Sequence, residues 1–183
     1  MFESKTLSIA ARRQTRGFTL VELLVTMGLL GILAALAAPS FADFMRQQRV
    51  KSMRDEMMAS IAHARVEAIT RGHSVVLLRT TPCPQAVSPL DWDCGWAAFA
   101  DLNGNGALDA NETVLHEVQG RPGTRIRRSP AASFHTIKRM GNSTFGRFEI
   151  FPAGSAFSPV NGVLLCLSKG GRVRSARDAA DCH

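Results

Sequence analysis

Near the C-terminus the run Ser168-Lys169-Gly170-Gly171-Arg172-Val173-Arg174-Ser175-Ala176-Arg177 brings four cations together, Lys169, Arg172, Arg174 and Arg177. In an extended chain Arg172 and Arg174 project from one face about 6.6 Å apart, close to two ~3.4 Å steps along a DNA strand, so the pair predicts contacts to successive phosphates. Gly170 and Gly171 would allow close backbone approach. Contact of this kind is expected to be sequence-independent and salt-sensitive. Few aromatics stand beside the cations in sequence, so base stacking is expected to add little. Arg125, Arg127, Arg128, Lys138, Arg139 and Arg147 form a candidate secondary patch. The plain alternative is a solvated basic edge.

A second chemical feature is a lone carboxylate, Glu22, set into an apolar run from Phe18 to Ala38. That run is about 21 residues, roughly 31 Å as helix, close to the ~30 Å hydrocarbon thickness of a bilayer. A charge inside it costs on the order of 2.5 to 3.5 kcal/mol, which predicts a cationic partner that arises on assembly. The alternative is a carboxylate eased by the helix N-terminus. Arg12, Arg13 and Arg16 precede the run and hold residues 1–17 in the cytoplasm by the positive-inside rule. The small residue that could mark cleavage, Gly17, lies ahead of the apolar core, unlike a secretory signal. Cutting there leaves the anchor on the product.

Asp101-Leu102-Asn103-Gly104-Asn105-Gly106, with Asp109 and Glu112, satisfies the twelve-position EF-hand pattern. Asp101, Asn103, Asn105, Asp109 and Glu112 are therefore candidate calcium ligands. The flanks read as strands rather than helices, which favours an Asn/Gly hairpin loop instead. Four cysteines, Cys83, Cys94, Cys166 and Cys182, all follow the anchor. An even count in an exported segment favours disulfides, and three pairings are open. The sequential one is simplest, closing the Pro-rich loop around Pro84 and tying the tail to the last strand. Zinc is disfavoured because neither pair has knuckle spacing. His63, His73, His116, His135 and His183 are scattered, and no nucleophile, base and orienting acid form a recognisable arrangement.

The elements that position these residues follow from periodicity. Pro39 predicts a kink after which the helix resumes. Phe41, Phe44, Met53, Met57, Ile61, Ala64 and Ala68 then recur at helical steps and predict one core-facing stripe, with Gly72 as the cap. Beyond Gly72 the pattern predicts short strands at 74–79, 96–100, 113–118, 124–127, 147–151 and 163–168. One long helix followed by short strands implies an α+β unit in which an antiparallel sheet covers the stripe. The formal net charge of the 183-residue chain is +7. Lys5, Arg12, Arg13 and Arg16 against Glu3 carry three of those charges, which leaves +4 after residue 17, enough to favour polyanions.

Gly17-Phe18-Thr19-Leu20-Val21-Glu22-Leu23 behind a short basic leader resembles the type IV prepilin family. The resemblance implies that a prepilin peptidase cuts between Gly17 and Phe18 and methylates the new amine. It also implies that Glu22 pairs with the Phe18 amine of a neighbouring subunit. Ala64-Arg65-Val66-Glu67-Ala68-Ile69 through Arg71-Gly72 resembles the FimT/GspH minor pilin branch. So does Gly95-Trp96 with Phe99-x-Asp101-x-Asn103-x-Asn105-Gly106 and Asp109-x-x-Glu112. Gly171-Arg172-x-Arg174 is similar to the GRxR element by which DNA-binding FimT-like minor pilins hold DNA during natural transformation.

What the branch implies is a type IV pilin fold, a long N-terminal helix with a transmembrane first half, packed on an antiparallel β-sheet domain. The implied organisation is a leader at 1–17, a membrane and filament-core helix at 18–39, its soluble half at 40–72, and a β-rich domain with a basic tail at 73–183. Expected partners are other major and minor pilins, the prepilin peptidase, the inner membrane and double-stranded DNA. The expected location is the inner membrane by a single pass, with the C-terminal domain periplasmic, and extracellular once assembled in the pilus. Two functions stay open, a minor pilin that captures DNA and a minor pseudopilin of a type II secretion system. In neither is the chain an enzyme, and no cofactor is expected beyond the candidate calcium. Replacing Gly17 by Val is expected to leave the leader uncut, read as an unshifted mass of the membrane-extracted chain. Recovery of that variant with Phe18 at its amino end would contradict the processing site.

Overall fold

The computed structural model describes residues 18–176 and Cys182. The leader with Gly17, and Arg177 in the tail, lie outside the described residues. Thr19 opens the first element. Its hydroxyl accepts the Glu22 backbone N–H at 3.2 Å and its carbonyl accepts that of Leu23 at 3.2 Å. The Glu22 donor belongs to the first turn, which has no intrahelical partner for it, and the Leu23 bond is the first of the helical ladder. Glu22 thus sits where a carboxylate complements the positive helix end. Helix α1 (Leu20–Arg71) continues through Pro39, beside which Ser40 Oγ donates to the Ala37 carbonyl at 2.9 Å. By length and composition α1 contains a window able to cross a bilayer.

Contacts divide the chain into two units, Met1–Phe41 and Ala42–His183. In the described part of the first, every side chain is exposed. In the second, α1 buries Val50, Met53, Met57, Ser60, Ile61, Ala64 and Ala68, which recur every three or four residues. The predicted stripe needs correction at its start. Phe41 and Phe44 are 64% and 54% exposed, and burial begins at Val50. Their helical spacing is right, but both stay exposed. Gly72 closes the helix with φ +74° and an N–H to the Ala68 carbonyl at 3.1 Å, the left-handed cap that Gly adopts without steric penalty.

Eight strands follow: β1 (Ser74–Arg79), β2 (Gly95–Asp101), β3 (Val114–Gln119), β4 (Thr124–Ser129), β5 (Phe134–Ile137), β6 (Gly146–Pro152), β7 (Val163–Leu167) and β8 (Val173–Ala176). They form two antiparallel sheets rather than one, ordered β3-β2-β1-β5 and β4-β6-β7-β8. Strands β5 and β8 were not expected from the sequence. Each has four residues and edges its sheet, where pairing on one side suffices. Both sheets converge on the α1 stripe, with Trp92, Trp96, Phe148 and Leu165 among the residues packed in the common core.

The connection before β2 is locked to the second sheet. Cys83 is bonded to Cys94 with Cα atoms 5.5 Å apart. Trp92 donates its ring N–H to the Ala132 carbonyl at 2.9 Å and sits edge-on to Phe148 at 5.0 Å. The Asp93 carboxylate accepts the Ile126 N–H at 2.6 Å and pairs with Arg125, while burial raises its pKa.

His135 on β5 is fully buried, its Nδ1 2.9 Å from Thr144 Oγ1 and its ring edge-on to Phe148. Burial, and then the positive charge of Arg128, lower its pKa to about 3. The folded state therefore holds this ring neutral while the unfolded chain protonates it below about pH 6.5. The stability it supports is complete above that pH and falls by up to ~1.4 kcal/mol per unit as pH drops toward about 3. Urea unfolding followed by the fluorescence of buried Trp92 and Trp96 is expected to show this acid limb. His135→Gln is expected to flatten it, and an unchanged slope in that variant would assign the limb to other groups.

Candidate nucleic-acid interface

The link between β7 and β8 is a tight turn at 168–172. Ser168 N–H donates to the Arg172 carbonyl at 3.0 Å, Gly171 N–H to the Ser168 carbonyl at 2.9 Å, and Arg172 N–H to Ser168 Oγ at 3.1 Å. A second turn, 138–141, closes through Gly141 N–H to the Lys138 carbonyl at 2.7 Å. The two turns lie against each other. Ser143 donates its N–H to the Lys169 carbonyl at 3.0 Å and its hydroxyl to the Ser168 carbonyl at 3.1 Å. From α1, Arg65 Nη1 donates to the Gly171 carbonyl at 3.1 Å.

Gly171 explains why the turns can approach. It has φ +77° and is buried, and a Cβ there would collide with the Gly141 carbonyl oxygen. The close approach it permits within the fold is to Gly141, and it holds the turn.

The side chains of the turn point outward by strand alternation. Val173 pairs with Leu167, and both pack on the core. Arg172 and Arg174 flank Val173 and so share the opposite face. Lys169 and Arg172 are exposed, and among the described residues no ion pair involves either. A cavity of about 420 Å³ opens here, lined by Phe145, Cys166, Leu167, Ser168, Lys169, Arg172, Arg174 and Cys182. Cys166, in register with Arg174, is bonded to Cys182 with Cα atoms 5.2 Å apart. The bridge thus forms part of the cavity wall.

The candidate secondary patch does not hold together. Arg125 pairs with Asp91 at 2.7 Å and Asp93 at 2.6 Å, and Arg127 and Arg147 both reach Glu149. Arg128 is buried and donates to the carbonyls of Pro130 and Phe145, and burial lowers its pKa. Lys138 and Arg139 remain exposed, and their turn is the one packed against 168–172. The fold thus brings the turn carrying these two cations to the tail cluster, while Arg125, Arg127 and Arg147 pair with carboxylates and Arg128 with backbone carbonyls. Residues that sequence reasoning missed here are Phe145, Arg65, Gly141 and Ser143. Nothing in their local pattern links them to a tail more than twenty residues away.

In the Asp/Asn loop the carboxylates serve the loop itself. Asp101 accepts the N–H groups of Gly104 and Gly106, and Glu112 accepts those of Leu102 and Asp109. Asp109 accepts the side-chain amides of Asn103 and Asn105. The flanks are β2 and β3, and among the described residues no group of three or more His, Cys, Asp or Glu is arranged to hold a metal.

Comparison with known proteins places this geometry. The family described as type II transport protein GspH matches residues 54–177, and the prokaryotic N-terminal methylation motif matches residues 12–38. The pilin-like protein PilA1 of Thermus thermophilus is 30% identical over 87% of this chain and 90% of its own length. A fimbrial protein of Pseudomonas aeruginosa is 32% identical over 50% of this chain and 54% of its own. The chain spans about half the length of that relative. Among solved structures, the type IV minor pilin FimU of P. aeruginosa aligns with TM-score 0.57 at 20% identity, covering 73% of this chain and 92% of its own. The minor pseudopilin EpsH from the type 2 secretion system of Vibrio cholerae aligns with TM-score 0.50 at 14% identity, covering 70% and 96%. Both share its fold of a long N-terminal helix on antiparallel sheets.

Gly171→Ala is expected to cost on the order of 2 kcal/mol, combining a left-handed backbone with the collision at Gly141. Gly170→Ala, where a Cβ meets only Ser168 Oγ at 3.9 Å, is expected to stay within about 1 kcal/mol of the parent. Urea midpoints compare them, and equal losses would contradict the turn-on-turn contact.

Proposed function

The chain belongs to the GspH family of pilin-like proteins, and on that premise we propose that it is a minor type IV pilin whose tail captures double-stranded DNA for uptake. On this reading the leader is removed after Gly17, the Phe18 amine is methylated, and α1 anchors the subunit in the inner membrane before assembly with other pilins. Glu22 in the first turn then meets the Phe18 amine of the next subunit, an opposite charge that relieves the cost of a carboxylate in lipid. The chain is a substrate of the processing peptidase and not a catalyst.

One observation carries the DNA reading. The 168–172 turn holds Lys169 and Arg172 exposed, beside Lys138 and Arg139, while Arg125, Arg127 and Arg147 pair with carboxylates. Cations held on rigid backbone lose little freedom on meeting a phosphate strand. Neutralising phosphates releases counterions, so affinity should fall steeply with salt. The second reading is a pseudopilin of a type II secretion system, favoured by the family's description and by the fold shared with EpsH. There the same basic face would meet a protein neighbour.

A salt titration of duplex DNA binding to the detergent-solubilised chain separates the two. Arg172→Ala with Arg174→Ala is expected to weaken duplex retention at least tenfold and to reduce the log–log salt slope by about 2. Absence of duplex binding by the parent chain at low salt would favour the secretion role.

A further inference from the structure

Phe145 stands at the wall of the basic cavity with Lys169, Arg172 and Arg174, although it lies more than twenty residues before them in sequence. It is 53% exposed, whereas Ser143 and Gly146 on either side are buried. Both neighbours are pinned. Ser143 is bonded to the 168–169 carbonyls and bridged to Ile137, and Gly146 begins β6 in register with Leu167. The Phe145 carbonyl itself accepts from Arg128 at 3.5 Å. Among the described residues no other aromatic ring packs against it. A half-exposed ring beside exposed cations can serve as a platform for a planar ligand group.

The occupant must be anionic, because the rim is cationic, and must present a flat apolar face to the ring. An unpaired nucleotide has both features, whereas a duplex hides its base faces in the stack. We propose that this cavity takes single-stranded DNA, with one unpaired base stacked on Phe145 and the flanking phosphates on Arg172 and Lys169. The inference rests on the DNA-binding reading above and adds that the site distinguishes a single strand, or the frayed end of a duplex, from intact duplex. The Cys166–Cys182 bridge and Leu167 supply the remaining apolar wall. A site that pairs a cationic groove with one aromatic platform tolerates any base, since every base has a π face.

The test uses the full chain in detergent with two fluorescein-labelled probes, a twenty-nucleotide oligothymidine and a twenty-base-pair duplex, read by fluorescence polarisation at one fixed salt concentration. Phe145→Ala is expected to lower affinity for the single strand by between about 5-fold and 100-fold and to leave duplex affinity within twofold. Phe145→Trp is expected to retain single-strand affinity. The tryptophan-monitored urea melt checks that both variants fold, as expected at a half-exposed position. If Phe145→Ala binds the single strand like the parent, or loses both probes equally, the stacking inference is overturned while arginine-dependent duplex binding still supports the uptake reading. If the parent binds neither probe, both are overturned.

Discussion

A single buried stripe on α1, from Val50 through Met57 and Ile61 to Ala68, is the surface on which both sheets converge. Full burial of a side chain such as Met or Ile contributes roughly 1.5 to 3 kcal/mol. That outweighs the exposed ion pairs of the same helix, Arg46 with Asp43 or Arg54 with Asp55, each worth at most ~1 kcal/mol. The order of the strands follows from this constraint. The helix supplies only one apolar face, so two four-stranded sheets must share it, and the short edge strands β5 and β8 extend the cover. Toward the end of the stripe Arg65 and Ile69 flank it and meet the 138–141 turn, which in turn receives the β7–β8 turn.

The electrostatics of the basic face arise by subtraction. Cations are spread along the second half of the chain, but Asp91, Asp93 and Glu149 take Arg125, Arg127 and Arg147. The partly buried Arg125 pairs are screened less than exposed ones and fix the 83–94 connection to β4. What is left outward-facing gathers around two touching turns. A chain of modest net charge can thereby concentrate positive potential at one corner.

Much of this was legible in advance. The apolar run with its lone acid, the Met/Ala stripe, the Gly72 cap and the places of β1, β2, β3, β4, β6 and β7, within two residues at each end, follow from periodicity and turn residues. The misses have physical causes. Phe134-His135-Thr136-Ile137 and Val173-Arg174-Ser175-Ala176 are too short and too polar to stand out, and they become strands only because an open sheet edge is offered. Phe41 and Phe44 continue the helical period before burial begins at Val50. Pairing of Arg125 with Asp91, 34 residues away, has no local signature. The EF-hand pattern in 101–112 was legible as a string, yet its carboxylates are taken by the loop's own donors. The tail cations were legible as a cluster. The ring of Phe145 and the clamp from Arg65 were not, because both reach the tail only through β-pairing and helix packing.

The clamp on the 168–172 turn grips peptide oxygens, those of Ser168, Lys169 and Gly171, and uses neither the Lys169 nor the Arg172 side chain. Architecture and chemistry are thus uncoupled at this corner. The charges at 169 and 172 can therefore be exchanged for other groups without removing any of the bonds that hold the turn.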